Sequence, residues 1–157
     1  AFTFLRGLGV AKPFSLQMVL DLMRNRHDEA TQSLARLLAA ERDAKKKLAM
    51  LQQYREEYTT RFREAAQDGL GQPEWRNFQE FLNRLDEAIT QQHQSVSLQE
   101  AHTAAGQAEW RQQQKRLKAF DALSERHRAS EARWESRQEQ KTQDEFAARH
   151  NNREEDR

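Results

Sequence analysis

The chain has 157 residues, room for one ordinary domain, and alanine, glutamate, lysine, leucine and arginine supply about half of them. That share marks long helices, and 36% hydrophobic residues with a mean hydropathy of −1.11 exclude a thick core of buried layers. Charge is dense but balanced, 26 basic against 25 acidic residues, which argues against a nucleic-acid binder that tracks phosphates with a basic surplus.

The elements read as follows in chain order. Residues 1–13 are expected to be an N-terminal extension outside the fold. Ala1 to Val10 is moderately apolar, but Arg6, Gly7 and Gly9 interrupt it and no cleavage site follows, so no signal peptide is expected. Pro13 suits a first helical turn, and a helix is predicted over 14–68, stopped at Asp68-Gly69. Gly69-Leu70-Gly71-Gln72-Pro73 is the turn, 69–73. Pro73 and Glu74 then favour a second start, because Glu74 meets the positive end of the helix dipole. The second helix is predicted over 74–148, followed by a polar tail, 149–157, expected to be disordered.

Heptad spacing fixes how the helices face each other. Stepping alternately by four and three from Leu16 passes Leu20, Met23, His27, Ala30, Leu34, Leu37, Glu41, Ala44, Leu48, Leu51, Arg55, Tyr58, Phe62 and Ala65, of which 12 of 15 are apolar. Such persistence indicates a left-handed coiled coil. The second stretch shows Trp75, Phe78, Leu82, Leu85, Ile89 and Val96, then Trp110, Leu117 and Phe120, with the seam diluted at Gln99 and Thr103. The predicted fold is therefore all-α, two long helices forming an antiparallel coiled-coil hairpin. A tight turn pairs residues whose numbers add to roughly 142, so nothing after about Arg128 has a partner within the chain. His27, Glu41 and Arg55 occupy core sites of the first helix, where polar residues set register at a cost in stability.

Chemistry is sparse. Cysteine is absent, so there is no disulfide, thiolate nucleophile or cysteine-held zinc, and a reducing cytoplasm is expected. No run of about 18 apolar residues crosses a membrane. The histidines (His27, His93, His102, His127 and His150) form neither an HExxH pair nor a Ser-His-Asp pattern, and Gly7-Leu8-Gly9 lacks the rest of a phosphate loop. A two-helix coil offers no dry cavity to retune carboxylates. No enzyme, no catalytic residue, no metal and no cofactor are expected.

The flanks of the seam near the turn carry more information. One side gathers Tyr54, Tyr58, Phe81, Leu85 and Ala88, with Tyr54 expected opposite Ala88 and Tyr58 opposite Arg84. The other side reads Gln52, Thr59, Gln79, Asp86 and His93, all polar. An aromatic flank either thickens the local core or forms a patch where a partner docks.

These residues resemble a known family. Leu48-Ala49-Met50-Leu51-Gln52-Gln53-Tyr54-Arg55-Glu56-Glu57-Tyr58 resembles the first-helix motif of the FliJ family of flagellar export proteins. Glu74-Trp75-Arg76-Asn77-Phe78-Gln79-Glu80-Phe81, with Leu85 and Glu87-Ala88-Ile89, is similar to the start of its second helix. Trp110-Arg111, Lys115-Arg116-Leu117 and Asp144-Glu145-Phe146-Ala147 are similar to later landmarks, so the resemblance covers about residues 14 to 148.

The resemblance implies a cytoplasmic antiparallel coiled coil, like the stalk subunit of rotary ATPases. It would be a general component of flagellar type III export, and so of flagellum biogenesis, motility and chemotaxis. Implied partners are the hexameric export ATPase FliI, the gate protein FlhA and export chaperones whose substrate cycling it assists. No nucleic acid is implied, and no membrane insertion, only peripheral association with the inner membrane through the export apparatus. The gate-binding surface carries over to Leu51, Tyr54, Tyr58, Phe81, Leu85 and Ala88. Gln92 stands where the family often has histidine, and His93 follows it. By the stalk analogy the ATPase ring meets Arg24, Arg26, Arg116, Arg126 and Arg133, which otherwise read as a solvated helix face. Family chains begin near residues 10 to 14 here, which implies Val10 as the natural start and Ala1 to Gly9 as upstream sequence. A homodimerising structural spacer and the equivalent rod of a virulence type III secretion system share the same pattern.

Overall fold

The computed structural model describes residues 12–156, with side chains from Leu16 onward. The fold is an all-α hairpin of two helices, α1 (Lys12–Gln67) and α2 (Gln72–Glu155). Of the extension expected over residues 1–13, residues 1–11 lie outside the described residues, while Lys12 and Pro13 already belong to α1. α1 starts at Lys12, with Pro13 in its first turn, where the missing N–H removes no helical bond. α2 runs past the expected limit of 148, and the polar tail is helical as far as Glu155. Polarity alone does not break a helix: no glycine or proline lies there, His150 and Glu154 stand 3.9 Å apart at i,i+4, and Arg153 favours the last turn.

Local chemistry sets the turn. The Asp68 and Gly69 N–H groups donate to the Ala65 and Ala66 carbonyls, both at 3.2 Å, and Gly69 takes φ +90°, the conformation that closes α1 at low cost only for glycine. Glu74 reaches back to accept a 3.4 Å bond from the Gly71 N–H, a capping interaction that opens α2.

The chain divides into two compact units: Asp28–Gln112, and residues 12–27 with residues 113–156. In the first unit, α1 and α2 run antiparallel. Trp110 Nε1–H donates to Thr31 Oγ1 at 2.9 Å, Thr103 Oγ1 approaches the Leu37 carbonyl at 3.4 Å, Gln92 Nε2–H donates to the Ala44 carbonyl at 2.9 Å, and Arg55 pairs with Asp86. The apolar core of this unit is one seam wide, with Ala44, Phe78, Leu85 and Val96 its buried members. The dilution of the α2 seam has a physical reason here. Gln92 and Thr103 are buried with backbone carbonyls of α1 as partners, so the cost of burying their polar groups is largely offset. Gly106 lies so close to α1 that a Cβ there would meet Leu37 Cδ1 at 2.5 Å.

Replacing Gln92 by leucine should leave stability unchanged or raise it by about 1 kcal/mol, since the Ala44 carbonyl keeps its own helical partner and nothing is orphaned. Alanine at the same site should instead cost roughly 1–2 kcal/mol, through the lost bond and the space left behind. Urea unfolding midpoints of the two variants separate these outcomes.

In the second unit Leu20 is the most buried side chain, and Leu16, Val19, Met23 and His27 on α1, with Leu117, Phe120, Ser124 and His127 on α2, are half-buried. Gln113 is buried. Arg24 lies 3.6 Å from Asp121 and 3.8 Å from Asp21. From Arg128 through Asp156 every residue is exposed.

Candidate functional site

The densest cluster of aromatic side chains lies beside the turn, in the Asp28–Gln112 unit. α1 contributes Tyr54, Tyr58 and Phe62, four residues apart and thus on one helical face. α2 contributes Trp75, Phe78 and Phe81, three apart on theirs. Phe62 stacks on Phe78 with ring centroids 3.5 Å apart and planes 11° from parallel. Tyr58 stacks on the same Phe78 at 5.5 Å and meets Phe81 at 4.4 Å. Tyr54 contacts Phe81 edge-on at 6.1 Å and Tyr58 at 6.4 Å. Trp75 closes the turn side of the cluster against Phe62, at 5.3 Å.

The cluster has an inside and an outside. Phe78 and Leu85 are each 7% exposed, whereas Tyr54 is 46% and Trp75 51% exposed. Tyr58, Phe81, Ala88 and Leu51 are half-buried between these extremes. Of the six residues expected at a gate-binding surface, Leu85 is thus buried, Tyr54 is exposed, and the other four are half-buried. The Tyr58 ring lies against Phe78 and Phe81. The spacing assigns Trp75 and Phe62 to the seam, and their position within a helical turn of Phe78 and Tyr58 is the signal that also makes them members of the patch.

The opposite flank is held by charge. Arg55 Nε–H donates to Asp86 Oδ1 at 2.5 Å, and Thr59 Oγ1 donates to the Arg55 carbonyl at 2.8 Å. Hydrogen bonding to Asp86, and then the charge of Asp86, hold the Arg55 guanidinium above its ordinary pKa. The polar core site expected at Arg55 thus has a cross-helix partner. Glu41 and His27, the other two such sites, are half-buried in the seam.

The five arginines expected to meet an ATPase ring, Arg24, Arg26, Arg116, Arg126 and Arg133, are all exposed and all belong to the unit of residues 12–27 and 113–156. Arg24 is engaged with Asp21 and Asp121. Among the described residues no cluster of three or more histidine, cysteine or carboxylate side chains could hold a metal ion, and no helix is long and apolar enough to cross a membrane. The arrangement offers a contact surface of exposed aromatic rings on a rigid helical support.

Comparison with known proteins agrees with the residues. A family model described as flagellar FliJ protein matches residues 12–156. The chain is 28% identical to the flagellar FliJ protein of Salmonella typhi over 140 residues, covering 89% of this chain and 95% of that one. It is 29% identical, with the same coverage, to the flagellar FliJ protein of Escherichia coli (strain K12). The chain belongs to the FliJ family and is a component of the flagellar protein export apparatus.

Proposed function

We propose that the chain is a coupling subunit of the flagellar export machine, which engages the export ATPase FliI through one unit and the export gate protein FlhA through the other. The observation that carries this reading is the exposed half of the aromatic cluster, Tyr54 against Phe81 and Trp75 against Phe62 and Phe78. Large rings left half in water on a rigid helical face act as anchors for a partner. The gate surface is Leu51, Tyr54, Tyr58, Phe81 and Ala88, with Leu85 beneath. Arg24, Arg26, Arg116, Arg126 and Arg133 meet carboxylates of the ATPase ring, where several weak ion pairs add up on a multi-subunit partner. The subunit assists cycling of export chaperones, works on the cytoplasmic side at the inner membrane, and catalyses no reaction of its own.

ATP hydrolysis by the purified cognate ATPase, with and without this protein, tests the reading together with the ATPase mass. Faster hydrolysis and a shift toward the hexamer are expected. Unchanged rate and mass would remove the ATPase half of the proposal.

A further inference from the structure

The stretch of α2 from Arg128 to Asp156 is helical and exposed throughout. Between Glu131 and Lys141 its own surface charges do little to hold it. Glu131, Glu135 and Glu139 stand at i,i+4 spacing, as do Arg133, Arg137 and Lys141, and like charges so placed destabilise a lone helix. The heptad register of the buried seam nevertheless continues without a skip. From Phe120, Ser124 and His127 it passes to Glu131, Trp134, Gln138, Lys141 and Glu145. Trp134, at 63% exposed, sits on this line, where a partner helix would cover it.

The order of charges along that line says which helix fits. An antiparallel copy of the same stretch, related by a two-fold axis at the level of Ser136, sets Glu131 against Lys141 of the second copy, and Lys141 against its Glu131. Trp134 then meets Gln138 of the second copy, the two tryptophans flanking the two-fold axis about 6 Å apart along the helices. His127 meets Glu145. These are alternating layers of the kind an antiparallel coiled coil requires, and no layer between His127 and Glu145 opposes like charges. We infer that the exposed seam of α2 around Trp134 is a docking surface for a second copy of this chain, paired antiparallel through Glu131, Trp134, Gln138 and Lys141. The pairing goes beyond the coupling role and does not rest on it. It is short and mostly polar, so it is reversible and responds to concentration.

Sedimentation equilibrium of the full chain tests the inference. The average mass should climb from 18.5 kDa toward twice that value as concentration rises. Glu131→Lys alone, or Lys141→Glu alone, opposes like charges in two layers and should weaken pairing at least tenfold. The double variant Glu131→Lys/Lys141→Glu, and an equimolar mixture of the two single variants, should restore it. All are exposed positions, and circular dichroism should show unchanged helicity. With no native cysteine present, Trp134→Cys mixed with Gln138→Cys should give a disulfide-linked heterodimer on oxidation. A mass fixed at 18.5 kDa over the whole concentration range would overturn the inference. So would pairing that the single and double charge swaps affect alike, since the chains would then be meeting through another face.

Discussion

Phe78→Ala should lower the stability of the helix pair by about 3 kcal/mol, at the modest end of the range for a buried phenylalanine. The side chain is 7% exposed and sandwiched, with Phe62 stacked at 3.5 Å and Tyr58 at 5.5 Å. Its removal deletes the partner of two rings at once. A seam one layer thick can collapse partly into the gap, which is why the upper end of the range is not expected. For a chain of this size the melting point should fall by roughly 6–12 °C, read by helical circular dichroism. Phe78→Leu, which keeps most of the volume, should cost less than half as much. Equal losses for the two variants would mean that ring stacking, rather than filling the seam, dominates at this site.

Tyr54→Ala combined with Phe81→Ala should have the opposite signature, a severe loss of function on a nearly intact fold. Tyr54 is 46% exposed and makes two peripheral ring contacts, so its removal should cost about 1 kcal/mol of stability. Phe81 is half-buried and contributes more, yet the Phe62–Phe78 stack and buried Leu85 below it remain. If these rings are anchors, each is worth about 2 kcal/mol of binding, and the pair together more than a hundredfold in affinity. Cells carrying the double variant should show flagellar export and swimming reduced to near the level of a deletion, with the protein at normal abundance. Tyr54→Phe, which keeps the ring, should swim.

How much of this was legible in the sequence depends on the kind of force involved. Burial of a helix face is written as a period, so the line from Leu16 to Phe62 could be read before any coordinates, and every residue on it is buried or half-buried. Ala65, the last on that line, is exposed because α1 ends two residues later at Gln67. The turn was legible because glycine at a positive φ and a following Pro-Glu leave few alternatives. The middle of α2 was not. Gln92, Thr103 and Gly106 weaken an apolar pattern, and only coordinates show that α1 carbonyls and Leu37 complete their packing. Within the aromatic patch, spacing named Tyr54, Tyr58 and Phe81 but gave no depth, and Leu85, which spacing places both in the seam and on the flank, is buried. The partner of Arg55 was likewise hidden, since an ion pair with Asp86 depends on side-chain reach rather than on period. The end of α2 ran longer than its polarity suggested, because charged residues without a breaker continue a helix that has already begun.

The central claim is that one aromatic cluster does two jobs, its inner rings joining the helices and its outer rings meeting the export gate. Calorimetric titration of the soluble domain of the gate protein with the wild-type chain and with Tyr54→Ala/Phe81→Ala, beside melting curves of both, tests it most directly. The account predicts measurable binding by the wild type, binding weakened more than a hundredfold in the double variant, and helicity retained at the titration temperature. Equal affinity of the two proteins, with the variant folded, would contradict it.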